Sequence, residues 1–150
     1  MTLSIGQLVA KRAEISPGKE AFVEHHRNLR LTFSKLDRRV NRTANMLAGL
    51  GITKGDRVSV LMANSAEFMD IYYALAKLGA VCVPLNWRLA VPELAYILAD
   101  SDARALIYDG AFDAAAARLR EPAQQLSELT IFIRNADDSD AGAHDFRSLC

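Results

Sequence analysis

The stretch Leu50-Gly-Ile-Thr-Lys-Gly-Asp-Arg-Val-Ser-Val-Leu-Met-Ala-Asn-Ser65 decides the fold of this chain. Gly51 can adopt the left-handed backbone conformation that ends a helix. Gly55-Asp56 predicts a tight turn, and residues 57–62 form a short run rich in Val and Leu. Asn64-Ser65 then offers side chains that cap a new helix. A helix end, a buried strand and a helix start in immediate succession are typical of an α/β protein.

The helix that ends before Gly51 has the clearest pattern in the chain. Its apolar residues recur every three or four positions, at Phe33, Leu36, Val40, Ala44, Leu47 and Leu50. Thr32 is the predicted N-cap, and Lys35 stands where a capping box would have Glu or Gln. Lys35, Arg38, Arg39 and Arg42 lie on the opposite side of this helix, and we interpret them as a solvent-exposed face.

The segment upstream of this helix predicts two smaller elements. Ser4 and Gln7 have the spacing of a capping box, so a first helix should begin there and end before Ser16. Residues 21–23 and 29–31 are short apolar runs around a polar turn, which favours a β-hairpin.

Downstream, short apolar runs alternate with helical patterns. The predicted strands after residues 57–62 are residues 80–85, 104–108 and 130–133. The predicted helices are residues 66–78, 92–99 and 111–119. Near-continuous apolar strands that alternate with helices indicate an α/β fold with a mainly parallel sheet and helices on both faces. The polar, acidic residues 135–146 predict a surface loop.

The composition is that of one globular domain. Apolar residues make up 51% of the 150-residue chain, and 18 basic residues balance 18 acidic ones. This balance favours neither nucleic acid nor an anionic membrane as a partner. No apolar run approaches the roughly 20 residues that span a bilayer, and the N-terminus has no signal-peptide pattern. We therefore expect a soluble cytoplasmic protein, with peripheral membrane contact left open.

Cysteines and histidines are too few and too scattered to predict a metal site. Cys82 and Cys150 form neither a disulfide framework nor a ligand set, which favours a reducing compartment. Cys82 lies inside an apolar run and should pack as a small hydrophobic residue. His25 and His26 are neighbours in the predicted hairpin turn and His144 is distant, so we expect no bound metal.

Candidate binding residues follow the predicted parallel strands, because ligands of such sheets gather at the carboxyl ends. Asn86-Trp-Arg88 follows one strand, and Asp109-Gly110 follows another. An indole offers a stacking surface and a guanidinium pairs with phosphate, so Trp87 and Arg88 could line a channel mouth. The alternative is a loop whose Trp covers the sheet edge.

Other polar sites have structural interpretations. Asn64 and Ser65 precede a helix whose N-terminus could attract an anion. Because Glu67 follows and would repel a phosphate, we favour a self-capping helix. Gly55-Asp-Arg57 lies at the beginning of its strand, which is the wrong end for a ligand. Neither dinucleotide-binding nor ordinary nucleotide-triphosphate loops occur in the sequence.

A series of short motifs runs in order through residues 3–108. It comprises residues 31–33, Leu36, Asn41, Ala44, Leu47, Gly51, residues 55–58, Asn64, Ser65, residues 78–81 and 84–86, Arg88, residues 93–98, Asp100, Ser101 and residues 105–107. The ordered series resembles the start of acyl-CoA synthetases, which are adenylate-forming enzymes, and is most similar to bacterial medium- or long-chain fatty-acid ligases. Aryl-CoA ligases, luciferases and peptide-synthetase adenylation domains share it, so the substrate class stays open.

The resemblance implies a two-step reaction that uses ATP, Mg²⁺ and coenzyme A. A carboxylic acid attacks the α-phosphate of ATP, and the thiol of coenzyme A then displaces AMP from the acyl-adenylate. Family members carry out these steps with a Thr/Ser/Gly-rich loop, an acidic metal-binding motif and a lysine that this sequence lacks. We therefore expect no catalytic residue and no tightly bound cofactor here. Asn86, Trp87 and Arg88 are our candidates for the rim of the family's coenzyme A channel.

Two hypotheses about the chain follow. Residues 1–150 would be an incomplete N-terminal portion of the family's large N-terminal domain, with no complete second domain and no activity alone. Its uncovered apolar surface would then promote homo-oligomers. The alternative is a self-sufficient, non-catalytic α/β module used for binding or assembly.

Overall fold

A computed structural model describes residues 4–123, 131–135 and 144–145 of the chain. The chain divides into two compact units, each formed by segments that are not contiguous in sequence. The first unit contains Met1–Lys54 and Asn64–Ala80, and the second contains Gly55–Ala63 and Val81–Cys150.

The first unit combines a hairpin with three helices. A 3₁₀ turn at Ile5–Gln7 leads into the first helix, and the two hairpin strands pair antiparallel. The bounds are α1 (Leu8–Ile15), β1 (Glu20–Glu24), β2 (Leu29–Thr32), α2 (Phe33–Gly49) and α3 (Ala66–Leu78). The first helix, the hairpin and the long second helix are therefore confirmed.

Both ends of α2 are stabilised as the sequence predicts. The Thr32 Oγ1 accepts a hydrogen bond from the Lys35 backbone N–H at 3.3 Å. At the other end Gly51 has a φ of +86°, and the Ile52 N–H donates to the Leu47 carbonyl at 3.0 Å. This left-handed termination satisfies carbonyl groups that the last turn would otherwise leave free.

One face of α2 differs from the prediction. Lys35, Arg38 and Arg42 are exposed as expected. Arg39, however, is only 26% exposed because its guanidinium pairs with Asp70 of α3. The solvent-exposed interpretation is wrong for Arg39, since a helical pattern in one segment does not reveal a carboxylate on another.

The second unit is built on a five-stranded sheet in which every adjacent pair of strands is parallel. The spatial order is β4-β3-β5-β6-β7. The bounds are β3 (Arg57–Leu61), β4 (Val81–Pro84), β5 (Ala103–Asp109), β6 (Ile131–Asn135) and β7 (His144–Asp145). The α/β class and the parallel sheet are confirmed, with strand ends displaced by one or two residues.

The short strand β7 corrects the prediction for the acidic tail. Residues 135–146 were predicted as a surface loop, but Asn135 ends β6 and His144 pairs in parallel with Ile133. A two-residue strand has no apolar pattern of its own. Its pairing depends on the backbone of a strand formed elsewhere, so local sequence does not reveal it.

Helices α4 (Val91–Asp100) and α5 (Asp113–Ala123) pack on the sheet of the second unit. The α4 residues Leu94 and Leu98 meet Leu106 of β5 in a buried cluster. Ala105 and Ile107, which alternate with Leu106 along β5, are also fully buried. Both faces of β5 are therefore removed from water, as expected for a parallel sheet. The fifth helix starts two residues later than predicted, because Gly110–Phe112 forms a 3₁₀ turn.

Cys82 is a free, half-buried thiol on β4, and its burial raises its pKa to about 11. This position agrees with packing as a small apolar residue. Among the described residues, no helix combines the length and the apolar character needed to cross a bilayer.

Candidate functional site

The carboxyl ends of β3, β4, β5 and β6 lie along one edge of the sheet in the second unit, since these strands are parallel. The last contact between β4 and β3 is a hydrogen bond from the Leu85 N–H to the Val60 carbonyl at 2.9 Å. Asn86 follows this bond directly. The predicted Asn86-Trp-Arg88 loop therefore starts where the sheet stops.

The loop from Asn86 to Arg88 is organised by its own hydrogen bonds. The Asn86 Oδ1 accepts from the Arg88 backbone N–H at 3.1 Å, and the Asn86 carbonyl accepts from the Leu89 N–H at 3.1 Å. An Asn side chain that bonds the backbone two residues on is a common way to fix a tight turn. The turn places the Trp87 and Arg88 side chains next to each other.

Arg88 stacks on Trp87 at the surface. The guanidinium carbon lies 4.3 Å from the centre of the indole, within the range of a cation–π interaction. All three residues of the loop are exposed, and Trp87 is 48% exposed. Within the described residues Arg88 pairs with no carboxylate, so its donors face water. The structure brings the predicted residues together, with Trp87 half-exposed beside Arg88.

An open pocket beside this loop was not predicted from the sequence. It has a volume of about 440 Å³ and is lined by Leu89, Pro92, Glu93, Tyr96 and Ile97. Tyr96 is 68% exposed. The sequence signal for this pocket is the set of apolar α4 residues that lie outside the buried stripe of the helix. The same residues are typical of a helix that packs against another part of a larger protein, so they do not identify a pocket.

Asp109 makes two side-chain hydrogen bonds at the same edge of the sheet. Its Oδ2 accepts from the Ala63 N–H at 2.9 Å, just beyond β3. Its Oδ1 accepts from the Asn135 Nδ2 at 2.8 Å, at the end of β6. Asn135 is only 9% exposed. The sequence predicts Asp109 at this edge of the sheet. It gave no sign of Asn135, because residues 135–146 were predicted as a surface loop.

The N-terminus of α3 is occupied by the protein's own groups. Ser65 is the N-cap, and its Oγ accepts from the Phe68 N–H at 3.2 Å. The next free donor, the Ala66 N–H, bonds to the Glu24 carboxylate at 3.1 Å. The self-capping interpretation is confirmed, but the cap is Ser65 and not Asn64, so Glu67 lies one position nearer the helix start than predicted.

Glu67 and Asp70 are buried acids that α3 directs toward arginines. Arg27 donates to both Glu67 oxygens, and Arg39 donates to both Asp70 oxygens. Burial would raise the pKa of Glu67, but hydrogen bonds, led by those from Arg27, hold it below the usual value. Burial raises the pKa of Asp70, and the bonds from Arg39 offset this only in part. These pairs connect the hairpin turn and α2 to α3, and each of the two carboxylates is engaged by an arginine.

The remaining sequence candidates are structural. Arg57 donates to the carbonyls of Ser101 and Asp102, both at 2.9 Å, and to that of Gly55 at 3.1 Å. The first two carbonyls lie just after α4, so the guanidinium satisfies acceptors at the C-terminal end of that helix. His25 and His26 form a 3₁₀ turn in the hairpin. In the part of the chain that the structure describes, no group of three His, Cys, Asp or Glu side chains could hold a metal ion.

Known proteins match most of this chain. Residues 9–148 match the family described as AMP-binding enzyme. The chain is 48% identical over 105 residues to the long-chain-fatty-acid–CoA ligase FadD13 of Mycobacterium tuberculosis, covering 70% of the chain and 21% of that protein. It is 43% identical over 104 residues to a feruloyl-CoA synthase of an Amycolatopsis species, covering 69% and 21%. The chain thus spans about a fifth of these curated relatives.

Solved structures agree with the sequence relatives. A fatty acyl CoA synthetase of Mycobacterium tuberculosis superposes with a TM-score of 0.84 at 41% identity, covering 88% of this chain and 26% of that one. The anthranilate CoA ligase AuaEII, in complex with anthranoyl-AMP, superposes with a TM-score of 0.88 at 27% identity, covering 98% and 27%. The resemblance to adenylate-forming acyl-CoA ligases is confirmed, and the chain belongs to the AMP-binding enzyme family.

Proposed function

We propose that this chain is the N-terminal portion of an AMP-forming ligase that converts a fatty or other carboxylic acid to its acyl-CoA through an acyl-adenylate. The 48% identity to a long-chain-fatty-acid–CoA ligase over 105 residues carries the proposal. Relatives named for feruloyl, 2-succinylbenzoate and crotonobetaine or carnitine substrates have lower identity, of 37% to 43%. A fatty acid is therefore the favoured substrate.

Residues 1–150 would supply scaffold to this reaction. Adenylation needs groups that hold the triphosphate and stabilise charge during attack, and Mg²⁺ would supply part of that stabilisation when bound. The described residues offer no metal-ligand group, so we assign none of them as a ligand of Mg²⁺. We propose that the chain alone is inactive.

Asn86, Trp87 and Arg88 would form part of the rim of the coenzyme A channel. They lie at the sheet edge where ligands of parallel α/β proteins bind. Arg88 presents unpaired donors on a planar guanidinium, which suits a phosphate group. Asn86 would keep the loop in place, and Trp87 would hold the guanidinium by stacking. Coenzyme A would bind these residues through its phosphates, and the thiol chemistry would take place elsewhere.

The isolated chain would associate with itself. Val81 on the edge strand β4 is 47% exposed, and Trp87 and Tyr96 of the same unit are 48% and 68% exposed. Exposed strand edges and apolar patches promote association. We propose a homo-oligomer in solution. We also propose a reducing compartment such as the cytoplasm, where Cys82 would stay a thiol.

ATP–pyrophosphate exchange tests the enzyme assignment. Two proteins would be compared, the 150-residue chain and the product of the longest reading frame that contains it, each with fatty acids of several lengths. We expect exchange from the longer product and none from the chain. Exchange by the chain alone would contradict the scaffold role. A reading frame that ends at residue 150 would favour the non-catalytic module instead.

Arg88→Ala in the longer product tests the rim. We expect the KM for coenzyme A to rise by roughly 10-fold, because a charge-assisted hydrogen bond contributes about 1.5–3 kcal/mol and this site is exposed. Pyrophosphate exchange should not change, since it precedes thiol binding. Arg118→Ala, which removes another exposed arginine of the second unit, is the matched control. Equal effects of the two substitutions would argue against the rim assignment.

A further inference from the structure

The carboxylate of Asp109 joins three strand ends. Asp109 is the last residue of β5, and its carboxylate receives the Ala63 N–H from just beyond β3 at 2.9 Å and the Asn135 amide from the end of β6 at 2.8 Å. Both partners are donors and an ionised carboxylate is an acceptor only, so each oxygen is matched to one neighbour. Beyond residue 61 the ladder between β3 and β5 has stopped. The side chain of Asp109 therefore continues the connection where backbone pairing ends.

The end of β3 also supports the exposed loop after β4. β4 pairs with β3 from Arg57 to Val60, and the Leu85 N–H extends this pairing by one bond to the Val60 carbonyl. Asn86 comes next. A displacement of the chain at Ala63, just beyond β3, would therefore act through β3 on the strand that carries the base of the loop.

We propose that Asp109 is a positioning residue for the loop of Asn86, Trp87 and Arg88. It fixes the end of β3 against β5 and β6, and through β3 it fixes the starting point of the loop. Asp109 itself touches no ligand in this arrangement. The consequence for coenzyme A rests on the proposed function, whereas the consequence for the loop does not.

Trp87 reports on the loop directly, because it is the single tryptophan of the chain. In Asp109→Ala, acrylamide should quench Trp87 more strongly and its fluorescence anisotropy should fall. Since Trp87 is already 48% exposed, the quenching constant can rise by about two-fold at most. Asp113→Ala is the matched control, because it also removes a carboxylate bonded across the second unit, to Arg134 at 2.7 Å. Quenching should stay unchanged in the control.

A variant in which Asp109 and Asn135 are exchanged tests whether the hydrogen bonds between them position the loop, as distinct from the presence of a carboxylate at position 109. Asp109→Asn can keep both bonds, since its oxygen can accept from Ala63 while its amide donates to the oxygen of a flipped Asn135 amide. Asn135→Asp alone places two carboxylates at hydrogen-bond distance and should loosen the loop. The double variant D109N/N135D restores one donor and one acceptor, so its quenching should return toward that of the unsubstituted chain.

Quenching and anisotropy are measured at urea concentrations well below the unfolding transition of each variant, where the variant is folded. Equal quenching in Asp109→Ala and Asp113→Ala would overturn the proposal. So would a double variant in which Trp87 is quenched as strongly as in N135D. In the longer ligase, Asp109→Ala should raise the KM for coenzyme A several-fold while pyrophosphate exchange is retained. If the unsubstituted ligase forms no acyl-CoA, the proposed function fails, and the fluorescence comparison still decides the role of Asp109.

Discussion

Arg27 donates two hydrogen bonds to the Glu67 carboxylate, at 2.8 Å and 3.1 Å, across 40 positions of the sequence. The Glu67 side chain is 7% exposed and that of Arg27 is 39% exposed. The pair connects the hairpin turn to the start of α3. Glu67 must therefore stay ionised for this connection to hold, which makes the first unit sensitive to acid.

The first prediction concerns stability at low pH. Arg27 helps to hold the pKa of folded Glu67 below its usual 4.5, so the unfolded state takes up the proton first. The stabilisation by Glu67 is then complete above about pH 5 and disappears as the pH falls through the folded pKa. Urea denaturation of the unsubstituted chain and of Glu67→Gln should show stabilities that converge as the pH falls below about 5 and through the folded pKa of Glu67. A difference for Glu67→Gln that does not vary with pH would contradict this account.

The second prediction compares two neighbouring arginines of α2. Arg39→Ala leaves Asp70 buried without its bidentate partner and should lower the free energy of unfolding by about 3 kcal/mol. Arg38→Ala removes an exposed side chain that bonds to Ser34 and should cost less than about 0.5 kcal/mol. Urea denaturation at pH 7 measures both.

The same pair of variants has a pH signature. Burial already raises the pKa of Asp70, and removal of Arg39 should raise it further. A protonated Asp70 needs no cation, so the cost of Arg39→Ala should shrink as the pH is lowered. A cost that grows toward acid pH would show that Arg39 stabilises the fold through its apolar stem and not through its charge.

The third prediction concerns the close approach of Gly6 to the end of α3. A Cβ at Gly6 would lie 2.5 Å from the Ala76 carbonyl oxygen and 2.7 Å from the Lys77 Cα, both backbone atoms. Gly6→Ala should therefore destabilise the chain by about 1–3 kcal/mol. Gly49→Ala is the control, because a Cβ there meets nothing within 4 Å. It should be neutral or stabilising by up to about 1 kcal/mol, since Gly49 is helical. Thermal unfolding of both variants settles the comparison.

The fourth prediction concerns the reactivity of Cys82. Burial raises the pKa of its thiol from 9.0 to about 11. In a Cys150→Ser background, iodoacetamide at pH 8 should alkylate folded Cys82 roughly 100-fold more slowly than the urea-unfolded chain, because only the thiolate reacts. The folded state keeps its proton between about pH 9 and pH 11, so stability should decline through that window. Equal alkylation rates would show that Cys82 is accessible in the folded chain.

The sequence predicts the elements whose signals are local. The α2 helix has its stripe, its Thr32 cap and its Gly51 terminus within one segment, and the apolar runs of β3 and β5 are self-contained. Pairings between distant segments leave no such signal, as Arg39 with Asp70 and Asp109 with Asn135 demonstrate. The loop from Asn86 to Arg88 was found because its residues are consecutive and follow a recognisable strand. Its role as a coenzyme A rim stays a prediction.

The two units are interleaved along the chain, and this sets the order in which their strands are synthesised. The polypeptide passes from one unit to the other at three places, after Lys54, Ala63 and Ala80. β3, which lies between β4 and β5, arrives with the second of the four segments. During translation this strand leaves the ribosome before both of its neighbours and must wait for them with its two edges open. Because each unit is built from two separated segments, no single cut in the gene yields either unit free of residues from the other.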